Sequence, residues 1–271
     1  MSTDLLSGVN DEFPAKPMEQ TNGCGKPLDI AGAGGPAFVI ADLPKNSTSY
    51  AVQAEQAGAD AILLNIDGEE GSSPGHYGSY DLHDAYVNDV ISTVSVPCGI
   101  LVGGGRALTE DYWERIMSSR FSFVEMYSHQ MPLFVLGDDR LKKIAAIGAG
   151  YILEQVRQIA LLDGVEAVDA AATPAQGRGT RFTVLDLSTV GVVVGISAKP
   201  VLLRTQKRMT RSDLGRVLNQ GVKGFVVDPC IISGTEEAYK EELLLFKPAQ
   251  KTPVLPEDEA AQIYQAEPSY P

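Results

Sequence analysis

The sequence has little cysteine and no long apolar run. Its cysteines, Cys24, Cys98 and Cys230, are odd in number and widely spaced, and no two of them form a CxxC pair. This spacing favours reduced thiols over a disulfide framework or a zinc site. Apolar runs stay well short of the roughly 18 to 20 residues that a membrane helix needs, so we expect no membrane partner.

Positive charge is also scarce. Lys and Arg number 22 against 35 Asp and Glu, which gives a formal net charge of −13. So acidic a chain repels nucleic acid and anionic lipid unless it carries a strong local basic patch. Residues 1–4 lack the basic start and apolar stretch of a secretory signal. We therefore expect a cytoplasmic protein whose partners are small molecules, with no nucleic acid among them.

The 271 residues fit one (βα)8 barrel with a tail at each end. Three segments repeat a pattern of helix end, glycine, and apolar strand with a polar residue near its end; they span 57–67, 147–155 and 220–228. Glycine tolerates the left-handed turn that ends a helix, and such apolar runs are typical of strands buried on both faces.

Five further strands complete the set, and three of them begin at a proline, a position that loses no ladder hydrogen bond. They span 36–42, 97–103, 122–127, 181–187 and 200–204. The intervening helices fall near 47–57, 81–94, 109–118, 138–147, 157–172, 188–197, 210–220 and 235–246. This alternation predicts an α/β (βα)8 TIM-type barrel in preference to a doubly wound open sheet.

The barrel is expected to span 35–246, between an N-terminal extension over 1–34 and a proline-rich tail over 247–271. Neither extension has a periodicity that would build a core. Both are either disordered or packed against a neighbouring subunit, which would make the protein a homo-oligomer.

Polar residues at the carboxyl ends of the strands are the functional candidates, because the active sites of such barrels lie there. Asn65, Gln155 and Asp228 occupy one equivalent position in the repeated segments, which predicts a polar floor for a substrate site. The alternative is that they only cap strand ends. The predicted proton-transfer residues are Asp42, Glu154 and Asp186.

Arg204, Lys207 and Arg208 concentrate positive charge after the seventh strand of an otherwise acidic chain. A local reversal of this kind suits an anionic group of a substrate. Arg204 is the stronger candidate because it is closest to the strand, whereas Lys207 and Arg208 are equally explained as solvated surface charges.

A triglycine lies between the third strand and the next helix, whose start is marked by Thr109. Backbone N–H groups near a helix start can hold a phosphate, although glycine-rich turns also form where a strand reverses tightly. The candidate substrate-binding residues here are Gly103, Gly104, Gly105 and Arg106.

The segments 58–68 and 96–111 resemble the phosphate-binding barrels of histidine biosynthesis, the ribotide isomerase and the imidazole glycerol phosphate synthase. A strand ending in Asp67-Gly68 is followed by the triglycine, an arginine and a capped helix. The resemblance covers 37–127; it implies that the triglycine binds phosphate and that Asp42 is the general acid or base. The sequence departs from this family at 204–210, where basic residues replace a second glycine-rich phosphate-binding loop. It also has Glu154 or Gln155 where the family has an aspartate on the fifth strand.

The stretch 67–75 is similar to the second-strand loop of dihydropteroate synthases and related pterin-binding barrels. That similarity implies that Asn65, Asp67 and Asp228 hydrogen-bond a heterocycle. The histidines form no HxH or HExxH motif, although Asp67, His76 and His129 could still assemble a metal site. We predict neither a metal nor a cofactor.

Together these features predict an enzyme of the isomerase or lyase type, which performs acid/base chemistry on a small anionic, phosphorylated metabolite at the mouth of the barrel. Two alternatives remain: a pterin-dependent or other group transferase, and a non-catalytic barrel that serves as a subunit or scaffold.

Overall fold

A computed structural model describes residues 27–30, 37–68, 77–232 and 234–246. Each strand pairs in parallel with the next, and the eighth pairs with the first, so the sheet closes into a barrel. The predicted (βα)8 barrel is therefore confirmed. Among the described residues, no helix has the length and apolarity to cross a membrane.

The strands are β1 (Phe38–Asp42), β2 (Ala61–Ile66), β3 (Cys98–Val102), β4 (Phe123–Tyr127), β5 (Lys142–Gly148), β6 (Val165–Ala171), β7 (Val201–Arg204) and β8 (Gly224–Val227). The α-helices are α1 (Thr48–Gln56), α2 (Tyr80–Thr93), α3 (Glu110–Ile116), α4 (Leu133–Leu136), α5 (Leu153–Leu161), α6 (Val184–Ile196), α7 (Arg211–Asn219) and α8 (Glu236–Phe246). Short 3-10 turns precede α6 and α8.

The structure corrects the predicted fifth and sixth strands. β5 occupies most of the predicted helix 138–147, and β6 occupies the end of the predicted helix 157–172. The predicted strand over 181–187 contains the first turn of α6, and the end of the segment 147–155, which was predicted to form a strand, contains the first turn of α5. Both true strands are rich in alanine, which has a high intrinsic helix propensity, and burial in a parallel sheet overrides that propensity.

The barrel interior is apolar below and polar towards the carboxyl ends of the strands. Buried side chains such as Ile40, Leu63 and Phe123 fill the lower part. Because side chains alternate across a strand, the residue two positions further on points to the same interior. On six strands or strand ends this next interior residue is polar: Asp42, Asn65, Glu125, Asp169, Arg204 and Asp228.

Part of the predicted N-terminal extension contributes to the core. Leu28 and Ile30 are each only 3% exposed and belong to the inner apolar cluster with Phe38 and Ile40. The expectation that residues 1–34 build no core is thus wrong for these two residues. The rest of that extension lies outside the described residues, apart from 27 and 29, and so does the whole tail over 247–271.

The tight interior predicts opposite effects for two glycine substitutions. A Cβ on Gly99 would lie 2.3 Å from the ring of buried Phe123, so Gly99→Ala should lower the free energy of unfolding by about 1–3 kcal/mol. Helical Gly215 has no atom within 4 Å of such a Cβ, so Gly215→Ala should raise it by about 1 kcal/mol. Urea denaturation measures both; equal effects would contradict the described packing.

Candidate functional site

A cavity of about 310 Å³ opens at the carboxyl ends of the strands. Its floor is formed by Asp42, Asn65, Arg204 and Asp228, and its walls include the glycines after β3 together with aromatic and small residues. The cavity therefore lies where the active sites of (βα)8 barrels are found.

Arg204 lies at the centre of the polar interior and is only 5% exposed. Its Nη1 donates to Asp42 Oδ2 at 2.5 Å and more weakly to Asp228 Oδ2 at 3.5 Å. Its Nε donates to Asp169 Oδ2 at 2.8 Å, and its Nη2 donates to Glu125 Oε1. One guanidinium thus contacts carboxylates on β1, β4 and β6 and the carboxylate that follows β8.

This geometry corrects the role predicted for Arg204. A buried guanidinium that is surrounded by four carboxylates has no uncompensated positive charge to offer a substrate anion. Its effect is instead on its neighbours, because it stabilises their ionised forms in a region without bulk water.

Asp42 is the cavity-lining carboxylate with a pKa close to neutral. Burial raises its pKa to about 6, while Arg204 opposes the rise and Asp228 adds to it. The Asn65 amide also donates to Asp42 Oδ1 at 2.7 Å. A carboxylate tuned in this way can both accept and release a proton near neutral pH.

Hydrogen bonds from neighbouring elements hold Asp42 and Asn65 in place. The side chain of Asn46 spans the backbone of Asn65, donating to its carbonyl at 2.6 Å and accepting from its N–H at 2.9 Å. The hydroxyl of Tyr239, from α8, donates to the Asp42 carbonyl at 2.8 Å. The floor of the cavity is therefore a connected set of hydrogen-bonded groups rather than a set of independent side chains.

The triglycine packs against the end of β2. The N–H of Gly103 donates to the Ile66 carbonyl at 2.9 Å, and that of Gly105 donates to the Asp67 carbonyl at 2.9 Å. A Cβ on Gly103 would lie 2.4 Å from the carbonyl oxygen of Asp67. Close backbone approach explains Gly103 and Gly105, and the N–H donors of both are already used. This corrects the expectation of a three-glycine phosphate cradle, although Gly103 and Gly104 do line the cavity.

Asp67 and Arg106 lie beside the cavity rather than in its lining. Asp67 has a left-handed backbone with φ of 51°, and its Oδ2 accepts from the Tyr112 hydroxyl at 2.7 Å. Arg106 lies over the Tyr112 ring and has an exposed ion pair with Asp81 at 3.8 Å. Both residues therefore contribute to contacts between the β2 loop, α2 and α3.

Glu154 and Gln155 are not at a strand end, because β5 ends before them. Both are exposed in the first turn of α5, where Glu154 pairs with Arg157 at 3.6 Å. The Gln155 side chain accepts from the Ile152 N–H at 3.2 Å and caps the helix. Their predicted roles in proton transfer and in the polar floor are corrected accordingly.

Asp186 likewise belongs to a helix start, since the sixth strand ends at Ala171. It accepts from the Thr183 N–H at 2.8 Å and from Lys207 Nζ at 2.8 Å. Although burial opposes the change, Lys207 and Thr183 lower the pKa of Asp186. Lys207 is therefore neutralised by Asp186, and Arg208 is exposed; none of these three residues belongs to the lining of the described cavity.

The structure adds Glu125, Asp169 and Arg178 to the site. Glu125 and Asp169 lie beneath the cavity, while Arg178, from the loop after β6, lines it. Asp169 and Arg178 were missed because β6 was assigned to a helix. Gly164, whose φ is 88°, precedes β6 as Gly58 precedes β2 and Gly221 precedes β8, and this signal could have located both residues.

The described residues contain no group of three or more His, Cys, Asp or Glu side chains arranged to hold a metal ion. His129 lies with its Nδ1 2.7 Å from the Tyr151 hydroxyl. His76 and most of the loop that resembles pterin-binding barrels, 69–75, lie outside the described residues.

No family model matches the chain, and no curated protein matches its sequence. Solved structures do share its fold. A mutant of the tryptophan synthase alpha-subunit from Pyrococcus furiosus aligns with a TM-score of 0.59 and 15% identity, over 80% of this chain and 98% of that chain.

Thiamine phosphate pyrophosphorylase from Pyrococcus furiosus aligns with a TM-score of 0.53 and 17% identity, over 79% of this chain and 96% of that chain. Phosphoribosyl anthranilate isomerase from Thermus thermophilus aligns with a TM-score of 0.53 and 13% identity, over 77% of this chain and 96% of that chain. At these identities the likeness establishes a common (βα)8 fold.

The central ion cluster predicts a pH-dependent stability defect for Arg204→Met. Removing the guanidinium leaves buried carboxylates without a cation, so the free energy of unfolding should fall by about 3–5 kcal/mol near pH 8. The defect should shrink towards pH 5, because the carboxylates can then become protonated. Urea denaturation at both pH values measures it, and a defect of equal size at each pH would contradict the described cluster.

Proposed function

We propose that this protein is an enzyme of the isomerase or lyase type that acts on a small anionic, phosphorylated metabolite at the mouth of the barrel. Asp42 moves the proton, and Arg178 holds the anionic group. The position and environment of Asp42 are the observation that carries the proposal.

Asp42 meets the requirements of a general base. It lines the cavity, and its two oxygens are oriented by Asn65 and Arg204. With a pKa of about 6 it is mostly ionised at pH 7, yet it is a stronger base than an ordinary aspartate. Proton transfer by a positioned group of this kind contributes about 10²–10⁴-fold to a reaction rate.

Arg178 is a better candidate than Arg204 for binding the anionic group of the substrate. It lines the cavity together with Gly103 and Gly104. Burial raises the pKa of the Tyr127 hydroxyl, which also lines the cavity, and Arg178 joins Arg204 in opposing that rise. An arginine presents a planar fork of donors that matches phosphate and carboxylate groups.

By analogy, the structural neighbours support an enzyme that acts on a phosphorylated compound. Two of them have names that include a phosphorylated compound, and one of these is named an isomerase. A shared fold does not transfer a reaction, so the proposal depends on the side chains of this cavity. Cytoplasmic location and assembly into a homo-oligomer through the tails remain parts of the proposal.

The first test is exchange of substrate hydrogen with solvent. Wild-type protein in D2O is incubated with small phosphorylated aldoses and ketoses, and deuterium incorporation at carbon is followed by NMR. We expect incorporation into at least one compound, with a rate that rises as pH passes through about 6 and Asp42 loses its proton. Asp42→Asn should slow it by about 10²–10⁴-fold.

Glu154→Gln is the matched control, since it neutralises an exposed carboxylate outside the described cavity lining and should leave the exchange rate unchanged. Absence of exchange with every compound would overturn the proposed substrate class. Full exchange by Asp42→Asn would overturn the role of Asp42. Wild-type binding of a pterin without any such exchange would favour the group transferase instead.

The second test concerns the anion site. Arg178→Met should weaken binding of inorganic phosphate at least tenfold, as measured by the phosphate concentration that half-saturates the rise in melting temperature. Arg157→Met removes the same charge from an exposed position on α5 and should have no such effect. Equal weakening by both variants would show that phosphate responds only to net charge.

A further inference from the structure

Beneath the cavity, Glu125 and Asp169 each have one carboxyl oxygen that is bound to Arg204 and one that is not. Each residue is 0% exposed, and each gives one carboxyl oxygen to Arg204: Glu125 Oε1 to Nη2, and Asp169 Oδ2 to Nε at 2.8 Å. The remaining oxygens, Glu125 Oε2 and Asp169 Oδ1, are buried and have no hydrogen-bond donor among the described residues. Such oxygens are costly unless a donor satisfies them.

The balance of charges in the cluster of Arg204 and its four carboxylates indicates how these two oxygens can be satisfied. One guanidinium contacts four carboxylates, so full ionisation would bury an excess of negative charge. Each unpaired buried charge carries a large desolvation penalty. Two adjacent carboxyl groups avoid it by keeping one proton between them, which also supplies the missing donor.

We propose that Glu125 and Asp169 share one proton between Oε2 and Oδ1, and that this pair is a positioning element that holds Arg204 against Asp42. The role in positioning rests on the proposed function of Asp42, whereas the shared proton does not. Neither residue lines the described cavity, so neither is placed in contact with substrate.

The surroundings of the pair agree with this assignment. The charged groups that face it are Arg204 on β7, Asp42 on β1 and Asp228 after β8. Its neighbour β5 presents Ile144 to the same interior. Burial raises the pKa of Glu125 well above its usual range, and burial also raises that of Asp169. Glu125 is therefore the member that retains the proton and donates it towards Asp169.

The shared proton has a consequence for Asp42. A second negative charge on the pair would repel the ionised form of Asp42 and compete for Arg204, and both effects would raise the pKa of Asp42. With the proton in place, Asp42 remains a base near pH 7. The lower carboxyl pair thus sets the pH range in which the upper carboxylate works.

Infrared spectroscopy tests the proton directly. At pH 8, where Asp42 is ionised, wild-type protein should show the carbonyl stretch of a protonated carboxylic acid, with a shift in D2O. Glu125→Gln keeps the shape and a donor towards Asp169 but should lack that band. If the wild-type spectrum contains no band that Glu125→Gln lacks, the shared proton does not exist, whatever the activity results show.

Stability against pH gives a second measurement. Glu125 is protonated in the folded protein and ionised in the unfolded chain above about pH 4.3. Its contribution is therefore complete below that pH and decreases as pH rises towards the folded pKa, by tenfold in the folded-to-unfolded ratio per pH unit. Glu125→Gln should reduce the slope of the unfolding free energy against pH by the equivalent of one bound proton. Glu114→Gln, at an exposed carboxylate, should not.

The positioning role is tested by the pH profile of deuterium exchange. Glu125→Gln should preserve the rise near pH 6, because the charge and hydrogen bonds of the pair are kept. Glu125→Ala should displace that rise by at least half a pH unit, because Arg204 loses a partner. Equal profiles in the two variants would overturn the positioning role while leaving Asp42 as the proposed base.

Discussion

The contact of one buried guanidinium with four carboxylates is the interaction on which the rest of this site depends. Arg204 joins the interior ends of β1, β4 and β6 and the residue after β8, so it connects opposite sides of the barrel. The same contacts keep Asp42 ionisable in a place that burial would otherwise make neutral. Structure and proposed chemistry therefore rely on one side chain.

The two layers of the interior explain why this arrangement is possible. Apolar residues such as Phe123 and Ile40 fill the lower barrel and exclude water from beneath the polar residues. In that environment electrostatic interactions are stronger than at the surface. On six of the strands or strand ends, the period of two then places a polar side chain above an apolar one. The change from apolar to polar residues in one layer of the interior thereby gives the packed barrel a set of carboxylates and an arginine beneath and around its cavity.

The sequence predicted the closed barrel and six of its strands, because the strands are apolar and a glycine or a proline marks the start of five of them. It also identified Asp42, Asn65, Arg204 and Asp228, which the structure brings together. Asp169 and Arg178 could not be found while the alanine-rich β6 was assigned to a helix. Nor could the sequence reveal that Gly103 serves close packing against Asp67, or that Arg204 meets carboxylates from three other strands, since both depend on contacts distant along the chain.

The most direct test of this account is the titration of the Asp42 carboxyl group in the free protein. Carbon-13 labelling of aspartate, with Asp42→Asn to assign the signal, allows its chemical shift to be followed against pH by NMR. The cluster predicts a midpoint near pH 6. A midpoint near 4, as in an unperturbed aspartate, would contradict the account, because Asp42 would then be neither buried nor tuned as described.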